Sequence, residues 1–400
     1  MKRKEPQIDH IELESLSFEH LLAVALESGQ PFAAWKMPQE NTQSIVVSLQ
    51  KDALKVSADL EDLPNGFLAH PFQTKDNQAY LIPADIYYTT EMDHIDFSNS
   101  YDLNIKERVE KEIHNFDPKK SLKRWKGNML KEHFPPTSKE HFTSIVGESV
   151  RAMQNEEFTK VVLSRTKEAS IKDDFSPIDL FQRLSSAYPT AFVSICYIPH
   201  VGLWMGASPE TLISVDENGV FKTVALAGTQ ASDGLSPKEA SWKSKEIEEQ
   251  ALVSRYIINC FKKIRLREFE EIGPRTVAAA HLLHLCTEFK VDTKATNFPQ
   301  LGTVMLELLH PTSAVCGMPK EIATDFILQN EQYNRSIYSG YIGPIGLENR
   351  HHLFVNLRCL QLFNDHALLY AGAGITADSD PEKEWKETEI KMDTMLKHLK

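Results

Sequence analysis

The sequence predicts an α+β fold in which large antiparallel or mixed sheets carry helices on their outer faces. Strand-like segments follow one another in hairpin pairs, and helix-like segments with clear N-terminal caps stand between the pairs. A β-α-β nucleotide-binding pattern is missing. Residues 371–374 place two glycines after a strand, but the G-x-G-x-x-G spacing is not completed, which disfavours a dinucleotide-binding fold.

Composition limits the class of protein. The 400 residues, 42% of them hydrophobic, suffice for a large core in one domain or two. The net charge of −12 argues against a nucleic-acid partner. No apolar run reaches membrane-spanning length, and the first twenty residues lack a signal-peptide core. Five scattered cysteines indicate a reduced, cytoplasmic protein. We expect the protein to be a monomer.

The N-terminal third predicts a mixed scaffold. A helix is expected at 18–26, and short strands are expected at 31–35, 44–49, 67–72 and 79–82. A basic stretch follows, with Lys119, Lys120, Lys123, Arg124, Lys126 and Lys131. It could bind a polyanion, but a solvated connector that ends at the two prolines 135–136 is favoured. We therefore divide the chain into residues 1–136 and 137–400.

The remaining elements can be placed from caps, turns and periodicity. Thr137 with Glu140 predicts a capping box that opens a helix towards residue 153. Ser176 precedes Pro177 at a second helix start, and Gly219 closes a hairpin turn. Strands are expected at 160–165, 191–198, 202–207, 210–215, 220–226, 284–291, 337–345, 352–362 and 366–374. Further helices are expected at 237–264, 298–309, 320–330 and 381–396.

Two of these helices carry paired carboxylates. Glu384 and Glu387 lie three residues apart on the final helix, with Lys391 beyond them on the same side. Glu246 and Glu249 have the same spacing on the helix expected after Ser236-Pro237. A solvated acidic face explains either helix alone. If the two helices converge, their carboxylates form an oxygen-only site that suits Mg²⁺.

Three other side chains are candidates for chemistry. Lys160 starts an apolar strand, where burial would lower its pKa and favour a base, although a strand-edge lysine often reaches solvent. Glu210 follows an apolar strand, where a raised pKa would make it an acid; an ordinary turn glutamate is the alternative. Arg358 stands between apolar strand residues and requires an anion. Two loops of small residues, 226–229 and 310–317, would admit a ligand.

Taken in order, these segments resemble the chorismate-binding enzyme family. The family includes isochorismate synthases, salicylate synthases, anthranilate synthase large subunits and aminodeoxychorismate synthases. The resemblance covers roughly residues 137–396 and is carried by segments 158–165, 206–212, 227–229, 311–317, 335–343, 371–375 and 384–391, together with Arg358. It implies one large anthranilate synthase component I-like fold, with two packed sheets and outer helices. Residues 137–400 would be the chorismate-binding core, and residues 1–136 a variable part of the same fold.

The resemblance also implies a branch and a reaction. Lys160 stands where ammonia-using members have Gln, and Ala227 stands where aminodeoxychorismate synthases have a nucleophilic Lys. Both residues match isochorismate or salicylate synthases. By this resemblance, Lys160 would activate water for attack at C2 of chorismate, and Glu210 would protonate the departing C4 hydroxyl. Mg²⁺ would be held by Glu249 and Glu387 directly.

The resemblance further implies a substrate pocket. Glu246 and Glu384 would hold the metal through water. The substrate-binding positions would be Ala227, Gly228, Thr229, His284, Ala314, Tyr338, Arg358, Gly372, Gly374 and Lys391. Within this set, Arg358 and Tyr338 would hold the enolpyruvyl carboxylate. One position departs from the family pattern, because Gln250 replaces the usual His after the metal-binding Glu249.

The function expected from the sequence is therefore isochorismate synthase, for menaquinone or siderophore biosynthesis. Salicylate synthase, which continues by eliminating pyruvate, is the alternative within the family. Ala314 stands where the lyase branch tends to have Thr, whereas Tyr338 and Leu357 are compatible with that branch. A non-catalytic relative is a third interpretation, disfavoured because Lys160, Glu210 and the four acidic positions are all present.

Overall fold

The computed structural model describes residues 17–399 except 75, 93, 99–100, 102, 117–134, 232–235 and 280–281. The basic residues of the predicted connector, 119–131, fall outside the described residues. The helices that the structure describes are α1 (Phe18–Ser28), α2 (Leu103–Asn115), α3 (Lys139–Gln154), α4 (Pro177–Ala187), α5 (Ser244–Lys263), α6 (Leu301–Leu309), α7 (Lys320–Asn330) and α8 (Pro381–Leu396).

The same part of the chain contains nineteen strands. In order they are β1 (Phe32–Lys36), β2 (Gln43–Val47), β3 (Leu54–Val56), β4 (Gly66–His70), β5 (Ala79–Pro83), β6 (Ile86–Thr89), β7 (Asp96–Phe97), β8 (Lys160–Ser170), β9 (Phe192–Ile198), β10 (Gly202–Ser208), β11 (Thr211–Val215), β12 (Val220–Ala231), β13 (Glu270–Ala279), β14 (Leu282–Asp292), β15 (Gly317–Met318), β16 (Tyr341–Ile345), β17 (His351–Val355), β18 (Cys359–Leu362) and β19 (His366–Ile375).

These strands pair into two antiparallel sheets. The first has the order β15-β8-β19-β18-β10-β9-β1-β2-β6-β7, and the second has the order β13-β14-β12-β11-β17-β16-β4-β5-β3. Strands from before and after residue 136 contribute to both sheets. The predicted α+β class with two sheets and outer helices is confirmed. The division of the chain at residue 136 stays a prediction.

The two sheets meet through a layer of aromatic side chains. Trp35 and Phe192 come from the first sheet, and Phe67 and Phe354 come from the second. The rings of Phe192 and Phe354 stack with centroids 4.1 Å apart, and Trp35 lies 5.5 Å from Phe67. All four are buried. Buried aromatic pairs of this kind stabilise a sheet interface beyond the area they remove from water.

Two predicted helix starts are wrong. Helix α3 is capped by Ser138, whose hydroxyl accepts from the backbone N–H of His141. Thr137 instead exchanges backbone-to-hydroxyl bonds with Thr166 of β8, so a tertiary contact replaces the expected local cap.

Helix α5 begins at Ser244 and not after Ser236, because Ser236 closes a local turn. Both its backbone N–H and its hydroxyl donate to the carboxylate of Glu239. The first helical turn is therefore supplied by residues 244–247, which places Glu246 at the helix start.

The predicted strand 352–362 is also wrong, because the structure divides it. Strands β17 and β18 belong to different sheets, and residues 356–358 cross between them. Arg358, expected within a strand, lies in this crossing with a left-handed φ of 49°. Six of the described helices and strands had no sequence prediction: α2, β3, β6, β7, β13 and β15. Strand β13 is polar, contains a proline and pairs only with β14 at a sheet edge, so it lacks the apolar alternation of a strand.

Candidate active site

Lys160 occupies the first position of β8, between β15 and β19. Its backbone pairs with Met318, and Val162, two residues further along β8, pairs with Gly374 of β19. A Cβ atom added to Gly374 would lie 3.3 Å from Lys160 Cε and 3.9 Å from Nζ. The lysine side chain therefore extends across the bare backbone of Gly374, and a Cβ there would force Lys160 Cε to move by a few tenths of an ångström.

The surroundings of Lys160 favour its neutral form. Burial lowers the pKa of Lys160, while the carboxylates of Glu249 on α5 and Glu210 oppose that lowering. Lys391 on α8 lowers it further. Charged side chains from both carboxylate-bearing helices, α5 and α8, thus influence the pKa of Lys160.

Glu210 lies in the turn between β10 and β11. Its backbone is held on both sides: its N–H donates to the Ser208 hydroxyl at 3.3 Å, and its carbonyl accepts from the Val355 N–H at 3.0 Å. Burial raises the pKa of Glu210 to about 7, and Lys160 opposes this rise. The result is a half-buried carboxyl that is available as a proton donor near neutral pH.

Arg358 and Lys391 form a second group of positive charge. The left-handed backbone of Arg358 turns its side chain towards α8, where Nη1 donates to the carbonyl oxygen of Lys391 at 3.2 Å. The Lys391 ammonium donates to the Gly372 carbonyl at 2.8 Å and forms an ion pair of 2.6 Å with Glu387. Burial lowers the pKa of Arg358, and Tyr338 and Glu387 oppose this effect.

Tyr338 lies beneath Gly372. A Cβ added to Gly372 would lie 3.0 Å from the Tyr338 hydroxyl oxygen, so only glycine leaves this approach open. The ring stacks on Tyr370 with centroids 5.2 Å apart. Burial raises the pKa of Tyr338 to about 12. The hydroxyl therefore stays protonated and can donate to an anion.

A bulge in β12 brings this strand close to the start of α5, on another side of the site. Gly228 has a left-handed φ of 67°, and a Cβ there would lie 3.1 Å from Glu246 Cβ on α5. Thr229, next in the strand, pairs with His284 of β14. Burial lowers the pKa of His284, while a hydrogen bond with the Gly228 backbone opposes this lowering. Small residues at 227–228 thus let the helix start approach the strand closely.

Three of the four predicted metal-binding carboxylates lie beside this site, and each interacts with a different group. Glu246 accepts from the backbone N–H of Lys243 at 3.1 Å and so caps its own helix. Glu387 pairs with Lys391, Glu249 acts on Lys160, and Glu384 is half-buried on α8. Within the described residues, no three His, Cys, Asp or Glu side chains stand close enough to hold a metal ion. The four predicted metal ligands on these two helices are all carboxylates, and oxygen ligands of this kind fit a hard divalent cation.

Residues 68–400 match the family model described as chorismate binding enzyme. The chain belongs to the chorismate-binding enzyme family. The resemblance stated from the sequence motifs is therefore confirmed.

None of the helices in the described part of the chain combines the length and apolar character that a bilayer crossing requires.

Individual members of the family show how far the likeness extends. The isochorismate synthase EntC of Escherichia coli strain K12 is 29% identical over 261 residues, which cover 64% of this chain and 66% of that protein. The match thus spans slightly less than two thirds of the relative's length. The Escherichia coli menaquinone-specific isochorismate synthase MenF has a TM-score of 0.72 at 20% identity, covering 96% of this chain and 92% of that one.

A third solved structure has a similar fold but is named for a different reaction. Anthranilate synthase component I from Streptococcus pneumoniae TIGR4 has a TM-score of 0.67 at 20% identity, with coverage of 98% of this chain and 95% of that one. The predicted fold type is confirmed by these two structures. Because differently named synthases share the fold, the reaction has to be argued from the side chains in the site.

Gln250 has a packing role in this family member. Its side-chain amide donates to the Ala225 carbonyl at 3.0 Å and to the Thr287 hydroxyl at 2.9 Å. The side chain is 2% exposed and points from α5 towards β12 and β14. It therefore anchors the helix that carries Glu246 and Glu249, and faces the sheet.

Ala314 lies half-buried in the loop between α6 and β15. The loop is fixed to β8, because the Cys316 carbonyl accepts from the Val162 N–H at 2.9 Å. Arg335 adds a bridge, since it donates to the carbonyls of both Val315 and Val162. Ala314 is thus held beside the strand that begins with Lys160.

Two buried arginines, Arg335 and Arg165, lie behind the site, and the sequence alone indicated no role for either. Arg335 pairs with Glu331 at 2.6 Å, and Glu331 also accepts from the backbone and hydroxyl of Ser164. Arg165 pairs with Glu389 of α8. A signal was available for Arg165, which follows the apolar run 161–163, but Arg335 stands between Asn334 and Ser336 and has no such pattern.

Proposed function

We propose that this chain is an isochorismate synthase. It would convert chorismate reversibly to isochorismate by adding water at C2 and releasing the C4 hydroxyl, with movement of the ring double bonds. The observation that carries the proposal is the pair formed by Lys160 and Glu210. Burial lowers the pKa of the lysine and raises that of the glutamate to about 7, so a base and an acid face one site.

The two residues divide the proton transfers. Neutral Lys160 accepts a proton from the attacking water, and protonated Glu210 donates one to the C4 oxygen as the C–O bond breaks. In the reverse direction the roles exchange, as microscopic reversibility requires. General acid and base catalysis contributes roughly 10²–10⁴-fold for each group.

Chorismate is a dianion, and two parts of the site suit its carboxylates. Arg358, Tyr338 and Lys391 present donors around Gly372, where they would hold the enolpyruvyl carboxylate. The bare backbone of Gly372 and Gly374 keeps that side open. Residues 227–229 and His284 would line the ring carboxylate on the opposite side, next to the start of α5.

The proposal includes Mg²⁺ as the cofactor. Glu249 and Glu387 would hold it directly, and Glu246 and Glu384 would hold it through water. When bound, it supplies the positive charge that balances the ring carboxylate against these acidic side chains. The carboxylates themselves supply only oxygen ligands, which favours Mg²⁺ over softer metals.

Salicylate synthase is the second candidate. Pyruvate elimination requires the enolpyruvyl group to fold over the ring, so that a hydrogen moves from C2 to its methylene carbon. Ala314 leaves space beside β8 and offers no hydroxyl contact that would hold this pose. Tyr338 and Leu357 remain compatible with the lyase reaction. We therefore propose isochorismate as the dominant product, with salicylate at most a slow side product.

The partner is the small molecule chorismate, and the net charge of −12 speaks against nucleic acid. All five cysteines are free and buried, which supports a reducing, cytoplasmic compartment. A monomeric state stays a prediction, as does the choice between menaquinone and siderophore biosynthesis.

A turnover assay tests the assignment directly. The full chain is incubated with chorismate and Mg²⁺, and products are separated and identified. Formation of isochorismate, lost in Lys160→Ala and Glu210→Ala variants that remain folded, supports the proposal. Unchanged chorismate in the presence of the folded wild-type protein would favour the non-catalytic relative.

A further inference from the structure

Helix α8 carries three of the proposed site residues, so its rotation about its own axis matters. Glu384, Glu387 and Lys391 lie along one side of it. A shift by one residue would turn this side by about 100° and move it by about 1.5 Å. It would separate Lys391 from Gly372 and Arg358, which it now joins at 2.8 and 3.2 Å.

One side chain of β8 contacts a full turn of this helix. Arg165 Nε donates to the Thr388 hydroxyl at 2.6 Å, and Nη2 donates to the Glu389 carboxylate. The guanidinium also lies over the Trp385 ring, 3.6 Å from its centroid. These three partners lie on the side of α8 that faces the sheet.

The chemistry of this contact makes it selective for one helix position. Arg165 is 1% exposed, so its charge requires all of its partners. A planar guanidinium has donors in fixed directions and a flat face for stacking. A rotated helix could not present a hydroxyl, a carboxylate and an indole to it together. Lys167, which also binds Glu389 at 2.6 Å, reaches only that carboxylate.

We propose that Arg165 is a positioning residue that fixes the rotation of α8 and thereby places Glu387 and Lys391 in the site. It acts through those two residues and does not itself contact substrate. Its consequence for turnover rests on the proposed function, whereas its effect on helix position does not.

The test compares Arg165→Met, Arg165→Lys and the control Phe181→Leu in the full chain. Phe181 of α4 stacks on Phe18 of α1 at 5.6 Å and has no part in the site, so its substitution lowers stability alone. Loss of a supporting contact to a metal or catalytic group typically lowers affinity or activity by roughly 10–100-fold. We expect a loss of that size for Arg165→Met in kcat/KM for chorismate, and a comparable rise in half-saturating Mg²⁺.

Arg165→Lys should show a smaller loss, because lysine keeps the charge but cannot stack and bind both partners at once. This variant also serves if Arg165→Met fails to fold. Phe181→Leu should lower the melting temperature and leave both kinetic values near those of the wild type. The proposal is overturned if the arginine variants lose only melting temperature, as the control does.

A crystal structure of the Arg165 variant provides a measurement that is independent of turnover. We expect the Lys391–Gly372 and Arg358–Lys391 hydrogen bonds to be broken or lengthened. Their retention with unchanged geometry would overturn the positioning role. Absence of chorismate turnover by the wild-type protein would instead count against the proposed function and leave this structural comparison valid.

Discussion

The ammonium group of Lys391 donates a hydrogen bond of 2.8 Å to the carbonyl oxygen of Gly372. This bond joins α8 to β19 at the position where the glycine backbone leaves the Tyr338 hydroxyl accessible. The same ammonium pairs with Glu387, and the Lys391 carbonyl accepts from Arg358. One residue therefore connects the proposed metal side of the site with its anion-binding side.

Substitution of Lys391 tests this connection. Lys391→Met should lower kcat/KM for chorismate by roughly 100-fold, because it removes a positive charge and the bond that holds α8 against β19. The exposed Lys386 on the same helix provides a matched control, since Lys386→Met removes equal charge away from the site. Steady-state kinetics of both variants decide the matter. Equal effects of the two substitutions would mean that Lys391 contributes only general charge.

The pH dependence of kcat/KM should be bell-shaped. The productive form requires neutral Lys160 with protonated Glu210, so the rate falls on both sides of the range between their two ionisations. Burial sets the pKa of Glu210 at about 7 and brings that of Lys160 below its ordinary 10.5. In the Glu210→Gln variant, the pH profile of the remaining activity should no longer show the ionisation near neutrality. A wild-type profile that shows no ionisation near neutrality would contradict the proton-transfer roles.

Glu210 should also make stability depend on pH in a defined direction. Its pKa is raised from 4.5 to about 7, so the folded state binds the proton more tightly than the unfolded state. The stabilising contribution is fully present below pH 4.5 and is lost as the pH rises through 7. The difference is on the order of 3 kcal/mol at most.

Denaturant unfolding of the metal-free protein measures this effect. Glu210→Gln is neutral at all pH values, so its stability relative to the wild type should increase from acidic to mildly alkaline pH. The sign of the change is the informative result. A relative stability that decreases with rising pH would mean that the carboxyl is better solvated or more strongly paired than its burial indicates.

Metal dependence is the fourth prediction. EDTA should abolish turnover and Mg²⁺ should restore it, because acidic helices and a dianionic substrate repel each other without a cation. Glu249→Gln and Glu387→Gln should each raise the half-saturating Mg²⁺ at least tenfold. Glu248→Gln, the neighbouring exposed carboxylate on α5, is the control and should leave it unchanged. Full activity after exhaustive chelation would exclude the proposed cation.

Local signals in the sequence account well for part of this molecule. Ser176 caps α4 as expected, accepting from the Asp179 N–H, and Asp380, which also precedes a proline, caps α8 by accepting from the Lys383 N–H. Such caps are decided by a few neighbouring residues, so the sequence alone identifies them. Lys160 and Arg358 could also be singled out from their sequence neighbours, because a charged side chain in an apolar stretch of sequence needs a partner.

Other features depend on contacts between distant residues. The start of α5 could not be read from Ser236, because a turn with Glu239 competes with the cap. The left-handed crossing at Arg358 follows from a change of sheet between β17 and β18, which no local pattern marks. The role of Arg165 requires knowing that α8 packs on β8, more than two hundred residues later in the chain.

The central claim is that chorismate is converted to isochorismate and that the reaction stops there. Following chorismate by NMR in the presence of the protein and Mg²⁺ tests it most directly. The account predicts isochorismate as the dominant product, an approach to the same equilibrium mixture when isochorismate is added instead, and little salicylate. Formation of salicylate and pyruvate in equal amounts, at the rate of chorismate loss, would contradict it in favour of salicylate synthase.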